Sequence, residues 1–313
     1  PTELAHLTRK DKLANKRLSC QIKVKNNLEI KIPESIFGIK KVAAQVVSNH
    51  NVATFIKELV LRPEIPIDFK AGAYIQIDVP EYDLMFKDFN IESRYVSEWK
   101  KYNFLELSAK GIKQGFRAYS LANPPHDNKI MMLNIRIATP PPGTEGIPPG
   151  LGSSYIFGLK PGDKVTISGP YGDFMAKDTD NEMCFIGGGA GMAPLRSHIL
   201  HQLDGIHTKR KVSFWYGARS KKEMFYDDVF KDLEKRHDNF SYNIALSNPN
   251  EEDHWDGLTG FIHTHLCDTY LCRHEDPTQI EFYLCGPPPM INAIINALYD
   301  LGVEEDMIFF DKF

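Results

Sequence analysis

Met183-Cys-Phe-Ile-Gly-Gly-Gly-Ala-Gly-Met-Ala-Pro194 is the stretch on which the architecture turns. A short apolar run enters a glycine-rich turn, after which Leu195, Ile199 and Leu203 repeat at helical spacing. That is a buried strand passing into a helix. Glycines let backbone amides approach a pyrophosphate, and the following helix points its positive end at it. Ala193-Pro194 stand where the last glycine of G-x-G-x-x-G would be, which counts against a plain dehydrogenase.

Downstream, apolar runs recur at Val212 to Tyr216, Tyr242 to Leu246, Ile280 to Cys285 and Met307 to Phe310. Helical patterns lie between them, at Glu223 to Arg236 and Pro289 to Leu301. This alternation predicts an α/β domain over residues 178–313, a parallel sheet with helices on both faces. Cys285-Gly-Pro-Pro-Pro-Met290 would end a strand at the carboxyl edge, where such folds bind ligands.

Upstream the period is different. Val42 to Val47, Ala53 to Leu61, Tyr74 to Val79, Phe104 to Ser108, Ile130 to Ala138 and Lys164 to Ser168 read as short strands, punctuated by turns such as Ala71-Gly72 and Lys160-Pro-Gly-Asp163. They predict a closed antiparallel β-barrel over residues 39–177. Before it, Gln21 to Lys25 and Leu28 to Ile32 alternate like two strands joined at Asn26-Asn27, in a piece too small to bury a core.

The chemistry is placed at Arg117-Ala118-Tyr119-Ser120: a cationic fork for phosphate, an aromatic face and a hydroxyl, which together suit a flavin nucleotide. Alone, the string could equally be an ordinary strand. Gly152-Ser153-Ser154, before a helix at Tyr155 to Leu159, adds amides and hydroxyls suited to phosphate. The Pro140 to Pro149 loop either shapes one end of that nucleotide or is a plain linker.

These signals, in this order and with the Gly169-Pro-Tyr-Gly-Asp-Phe174 turn, resemble the ferredoxin-NADP reductase superfamily. Within it the whole chain is similar to the F subunits of sodium-translocating NADH:quinone oxidoreductases. The resemblance implies FAD on the barrel and NADH on the α/β domain. It puts Tyr119 against the isoalloxazine ring, Ser120 near its N5 atom and Arg117 on the pyrophosphate, with Asn134, Arg136, Ile137 and Ala138 running past the nucleotide. Gly187, Gly188, Gly189, Ala190, Gly191 and Met192, with Gly286 and Pro287, would hold NADH, and Cys285 would border the nicotinamide. Phe313 would cover the flavin, and Phe310 would be core. Arg219 to Lys222 could bind a 2′-phosphate and Glu223 ribose hydroxyls; the resemblance favours NADH.

Arg17-Leu-Ser-Cys20-Gln21 is similar to the end of a 2Fe-2S ferredoxin domain. Residues 1–38 would then be its carboxyl-terminal remnant and Cys20 a metal ligand. Such a cluster needs four thiolates, three of them in an upstream loop this chain lacks, so it would belong to a longer parent protein. Residues 81–114 depart from a minimal reductase, in a way similar to the sodium-pump protein. They would be a surface loop over the barrel or a docking surface for partner subunits.

The implied activity is an NADH dehydrogenase module: hydride from NADH to FAD, then single electrons to the cluster, feeding quinone reduction and sodium export. It would sit with other subunits on the cytoplasmic face of a bacterial inner membrane, the chain itself being soluble. The rivals are a soluble flavin reductase component of an oxygenase and a non-catalytic nucleotide-binding scaffold.

Composition fits this. The 313 residues, 42% hydrophobic, leave room for two cores, and a net charge of -4 gives no broad basic field, which argues against nucleic acid. No apolar segment is long enough to cross a bilayer, Met183 to Leu195 being interrupted by glycines and a proline. Five cysteines, few and odd in number, argue against a secreted disulfide framework and for a reducing cytoplasm. His263, His265 and Cys267 to Cys272 lack the spacing of a zinc site.

Overall fold

The computed structural model describes residues 11, 13–18, 22–29, 38–141, 144 and 146–311. The chain divides into two units, residues 1–37 and 38–313. In the first, residues 22–29 form no strand. Ile22, Val24 and Leu28 are exposed, so the alternation is not buried there; residues 21 and 30–32 of the two predicted strands lie outside the described residues.

The second unit contains two six-stranded sheets. The first is built from β1 (Lys40–Ala53), β2 (Ile56–Pro63), β3 (Tyr74–Val79), β6 (Gly115–Ser120), β7 (Met131–Arg136) and β8 (Lys164–Tyr171), in the order β6-β3-β8-β1-β2-β7. Every pairing is antiparallel. A bridge between Leu121 and Leu133 joins the two edge strands, so the sheet closes on itself. Leu59, Leu61, Ile75, Ile77, Leu133 and Ile167 alternate inward along their strands and fill the interior.

Two sequence expectations change here. Ala53 to Leu61 is not one strand: β1 ends at Ala53 and β2 starts at Ile56, across a Thr54-Phe55 turn. Phe104–Glu106 is a 3₁₀ turn, entered through Asn103 in the left-handed region at φ 56°, and only Ser108–Gly111 (β5) is a strand. The Phe104 ring faces Phe55 at 5.4 Å and Trp99 at 6.0 Å, so aromatic packing prevails over strand propensity.

Residues 81–114 fold as a subdomain. β5 pairs with β4 (Tyr82–Met85), and α1 (Ser93–Lys101) lies between them in sequence. Phe86, Tyr95 and Trp99 are essentially fully buried, Trp99 meeting Phe157 of α2 (Leu151–Gly158) at 5.9 Å. The segment extends the barrel core.

The second sheet comprises β9 (Met183–Gly188), β10 (Val212–Ala218), β11 (Phe240–Leu246), β12 (Leu258–Thr259), β13 (Glu281–Cys285) and β14 (Ile308–Asp311). Its order is β12-β11-β10-β9-β13-β14, all parallel. α3 (Met192–Leu200) and α4 (Asp227–Arg236) cover one face through Leu195, Ile199, Phe230 and Leu233. α5 (Ile262–His265) and α6 (Pro288–Asp300) cover the other through Ile262, Ile291, Ile294 and Leu298. β9 is buried throughout, as a strand with a layer on each face must be. The chain steps from β9 to β10 on one side and later returns to β13 on the other, which opens a crevice at the carboxyl end of β9.

Phe310 is 45% exposed, so it is not core. β14 is an edge strand, and Phe309 is the inward aromatic, stacked on Tyr283 at 5.0 Å.

Candidate active site

Register sets the first half of the site. Tyr74 of β3 pairs with Ser120 of β6, Ile75 with Tyr119 and Ile77 with Arg117. Along β6, Ala118 is exposed and Tyr119 and Ser120 are half-buried, and these three border a cavity of about 340 Å³; Arg117 is exposed but does not line it. Tyr74, Ala118, Tyr119, Ser120, Asn134 and Arg136 line it from the barrel, Ala190, Ala193 and Asp311 from the α/β domain. Burial pushes the Tyr119 phenol up, against the pull of Arg117, so it stays neutral.

α2 is joined to this strand by close contact. A Cβ on Gly152 would stand 2.4 Å from Arg117 Cγ and 2.7 Å from the Tyr119 hydroxyl, so no other residue fits without displacing both. Ser153 Oγ accepts from Ala138 N at 3.1 Å and donates to Gly150 O at 3.1 Å, tying the helix start to the end of β7. Ser154 is fully buried beside it. Ile137 turns its side chain into the barrel core, leaving only its backbone for a ligand.

Asn134 is fixed from the other domain. Its Nδ2 donates to the Tyr226 hydroxyl at 2.8 Å, and Tyr226 in turn donates to Glu58. This orients the amide and leaves Asn134 Oδ1 buried without a partner on a cavity-lining residue. An orphaned acceptor there calls for a donor from a ligand. With an aromatic face, a cation and the Gly152 cradle, the residues fit a flavin nucleotide.

The second half lies at the crevice. Gly188, Gly189, Gly217, Pro287 and Met290 face Phe55, Ile56 and Arg136 of the barrel across a cavity of about 530 Å³, which continues to Arg219, Glu223, Ser247, Phe261 and His263. A Cβ on Gly191 would lie 2.1 Å from Cys285 O, so the glycine turn and the Cys285-Gly286-Pro287 turn are in direct backbone contact. Burial raises the Glu223 carboxyl, while Thr54 and the Arg136 and Arg219 charges oppose the rise. Among the predicted turn residues, Met192 is buried in the sheet–helix core.

The two halves are also joined at Asp311. Cys285 pairs with Asp311 in register, and Ser120 Oγ donates to Asp311 Oδ2 at 3.1 Å. Burial and Asp311 push the fully buried Cys285 thiol up, which suits a small shape-filling side chain and not a nucleophile. Asp311 was missed in the sequence; an acid between terminal aromatics at the end of a strand was the available signal. Phe313 and Cys20 lie outside the described residues.

A third cavity, of about 720 Å³ and lined by Lys70, Met175, His198 and Arg210 among others, contains none of the predicted site residues. Among the described residues no group of three or more His, Cys, Asp or Glu could hold a metal. No helix among them is long and apolar enough to cross a membrane.

Comparison with known proteins follows the same division. The oxidoreductase FAD-binding domain family matches residues 40–175, and the oxidoreductase NAD-binding domain family residues 185–295. Among solved structures, a cytochrome P450 reductase from Amycolatopsis shares the fold at TM-score 0.67 and 24% identity, covering 88% of this chain and 70% of that one. The ferredoxin reductase in carbazole 1,9a-dioxygenase does so at TM-score 0.62 and 25% identity, with the same coverages of 88% and 70%. The F subunit of the Na(+)-translocating NADH-quinone reductase of Klebsiella pneumoniae is 54% identical over 315 residues, which is 100% of this chain and 77% of that protein. Its counterpart in Mannheimia succiniciproducens is 54% identical over 317 residues, again 100% and 77%. With more than half of its residues shared from end to end, the chain belongs to the family of F subunits of Na(+)-translocating NADH-quinone reductases.

Proposed function

We propose that this chain oxidises NADH with FAD as its resident cofactor, as part of a membrane-bound complex whose other subunits carry electrons to quinone and export sodium. The observation that carries this reading is the shared partition of the two cavities. Arg136 borders both, and the β9–α3 turn supplies Gly188 and Gly189 to one and Ala190 to the other. Ligands in the two cavities would meet at their ends.

When bound, FAD supplies the exchange between two-electron hydride chemistry and one-electron transfer. The chain's own residues do the rest. Tyr119 and Asn134 hold and orient the ring system, with Arg117, Ala118, Arg136, Ile137, Ala138 and the Gly152-Ser153-Ser154 helix start along the phosphates. Gly187 to Met192 and Gly286 hold NADH by backbone amides, with Pro287 shaping the turn beside it. Cys285 shapes the nicotinamide end, and Ser120 with Asp311 holds a proton next to the reacting ring. Phe313 covers the flavin. The one-electron acceptor is a 2Fe-2S cluster in the longer parent, with Cys20 among its ligands. The chain works at the cytoplasmic face of a bacterial inner membrane, and its modules are 1–38, 39–177 and 178–313.

The test is anaerobic addition of NADH to the purified protein while its visible spectrum is recorded. Bleaching of a bound flavin is expected. A protein with no flavin band, or a band that NADH leaves unchanged, would remove the reading in favour of a scaffold.

A further inference from the structure

Residues 81–114 line neither ligand cavity, yet they bury much of the largest aromatic cluster in the barrel domain. What they grip is the Thr54-Phe55 turn. β1 and β2 close through these two residues, Ala53 pairing with Ile56. Two-residue hairpins are ordinarily held by turns with a positive φ, usually supplied by Gly or Asn. Neither Thr54 nor Phe55 adopts one. The turn therefore depends on bonds from outside.

Asn51 Nδ2 reaches Thr54 O at 3.4 Å and Ile137 N donates to Phe55 O at 2.9 Å, and the insertion adds further support. Trp99 Nε1 donates to Thr54 O at 2.7 Å, and Asn51 N donates to Glu92 Oε1 at 3.0 Å. The Phe55 ring meets Trp99 at 5.8 Å, Tyr102 at 6.1 Å and Phe104 at 5.4 Å. Its other side faces the crevice, where Phe55 lines the dinucleotide cavity and the Arg136 guanidinium stands 6.0 Å over its ring.

We propose that residues 81–114 are a clamp that sets dinucleotide affinity, with Trp99 and Glu92 holding the Thr54-Phe55 turn so that Phe55 forms the wall opposite the β9–α3 glycines. The proposal rests on reading that cavity as the NADH site. Phe55 touches the ligand; Trp99 and Glu92 are positioning residues. A turn released from the clamp spends part of its time away from the wall position, and apparent affinity falls by the fraction still competent.

The experiment measures ADP-ribose binding calorimetrically to FAD-loaded protein: wild type, Trp99→Phe, which keeps a ring and removes the N–H, and Glu92→Ala. Each variant is expected to weaken ADP-ribose about fivefold to tenfold and raise the KM for NADH, with FAD content and maximal flavin reduction unchanged. Phe55→Leu should weaken binding similarly, and Phe55→Tyr should restore it. Wild-type affinity in both Trp99→Phe and Glu92→Ala overturns the clamp, and if Trp99→Phe does not fold, Glu92→Ala alone decides. No binding by the wild type overturns the cavity assignment itself, a separate failure.

Discussion

Ser120 and Asp311, 191 positions apart in the chain, share a hydrogen bond of 3.1 Å that joins the end of a barrel strand to the last strand of the α/β sheet. Burial raises the Asp311 carboxyl and Asp173 adds to the rise, while the Ser120 hydroxyl opposes it. The folded chain thus holds this proton more tightly than the unfolded chain does. Stability should fall as pH rises from the ordinary carboxyl value through the raised one, and level off beyond it. Asp311→Asn should flatten that part of the melting profile; an unchanged profile would show that Asp311 does not titrate there. Ser120→Ala should slow flavin reduction by about tenfold or more with FAD retained, measured by stopped-flow absorbance.

Tyr119 offers the only aromatic face on β6 that also borders the cavity. Tyr119→Ala should loosen FAD by about tenfold, the scale of one lost aromatic stack. Flavin released on gel filtration reports it. Full occupancy with unchanged turnover would remove the stacking role.

Lys57 is fully buried, donates to Phe157 O at 3.2 Å and lies 5.2 Å from the centre of the Phe157 ring. Burial lowers its pKa from 10.5 to about 8, against the pull of Glu92. Here the unfolded chain binds the proton more tightly, so stability should rise with pH between about 8 and 10.5. Lys57→Met should remove that rise in chemical denaturation series, and a variant that retains it would assign the effect to another group.

Arg210 Nη2 meets Glu281 Oε2 at 2.6 Å with both side chains almost wholly buried, and Glu281 also accepts from Thr179 at 2.6 Å and Tyr283 at 2.8 Å. Removing one partner strands the other charge. Arg210→Met should cost about 3–5 kcal/mol, read by denaturant unfolding, while Arg210→Met with Glu281→Gln should recover part of the loss. Equal losses in the single and double variants would mean the pair is not coupled.

The sheets were legible because their signals are local. The apolar run at Met183 and its glycines, the Tyr74 to Val79 strand and the helix over Pro288–Asp300 each carry their period within a few residues. What the sequence hid depends on distant partners. Phe104 reads as strand until the rings of Phe55 and Trp99 are beside it. Phe310 reads as core until β14 proves to be an edge. The same holds for the candidate site: the string that brings Ala118, Tyr119 and Ser120 to the cavity is local, whereas the orientation of Asn134 is set by Tyr226, 92 positions away.

Arg136 standing at the border of both cavities has a thermodynamic consequence. A guanidinium that leans toward one anionic ligand changes the free energy of the other, and such coupling must be reciprocal. Whatever factor a filled first cavity imposes on binding in the second, the second returns to the first.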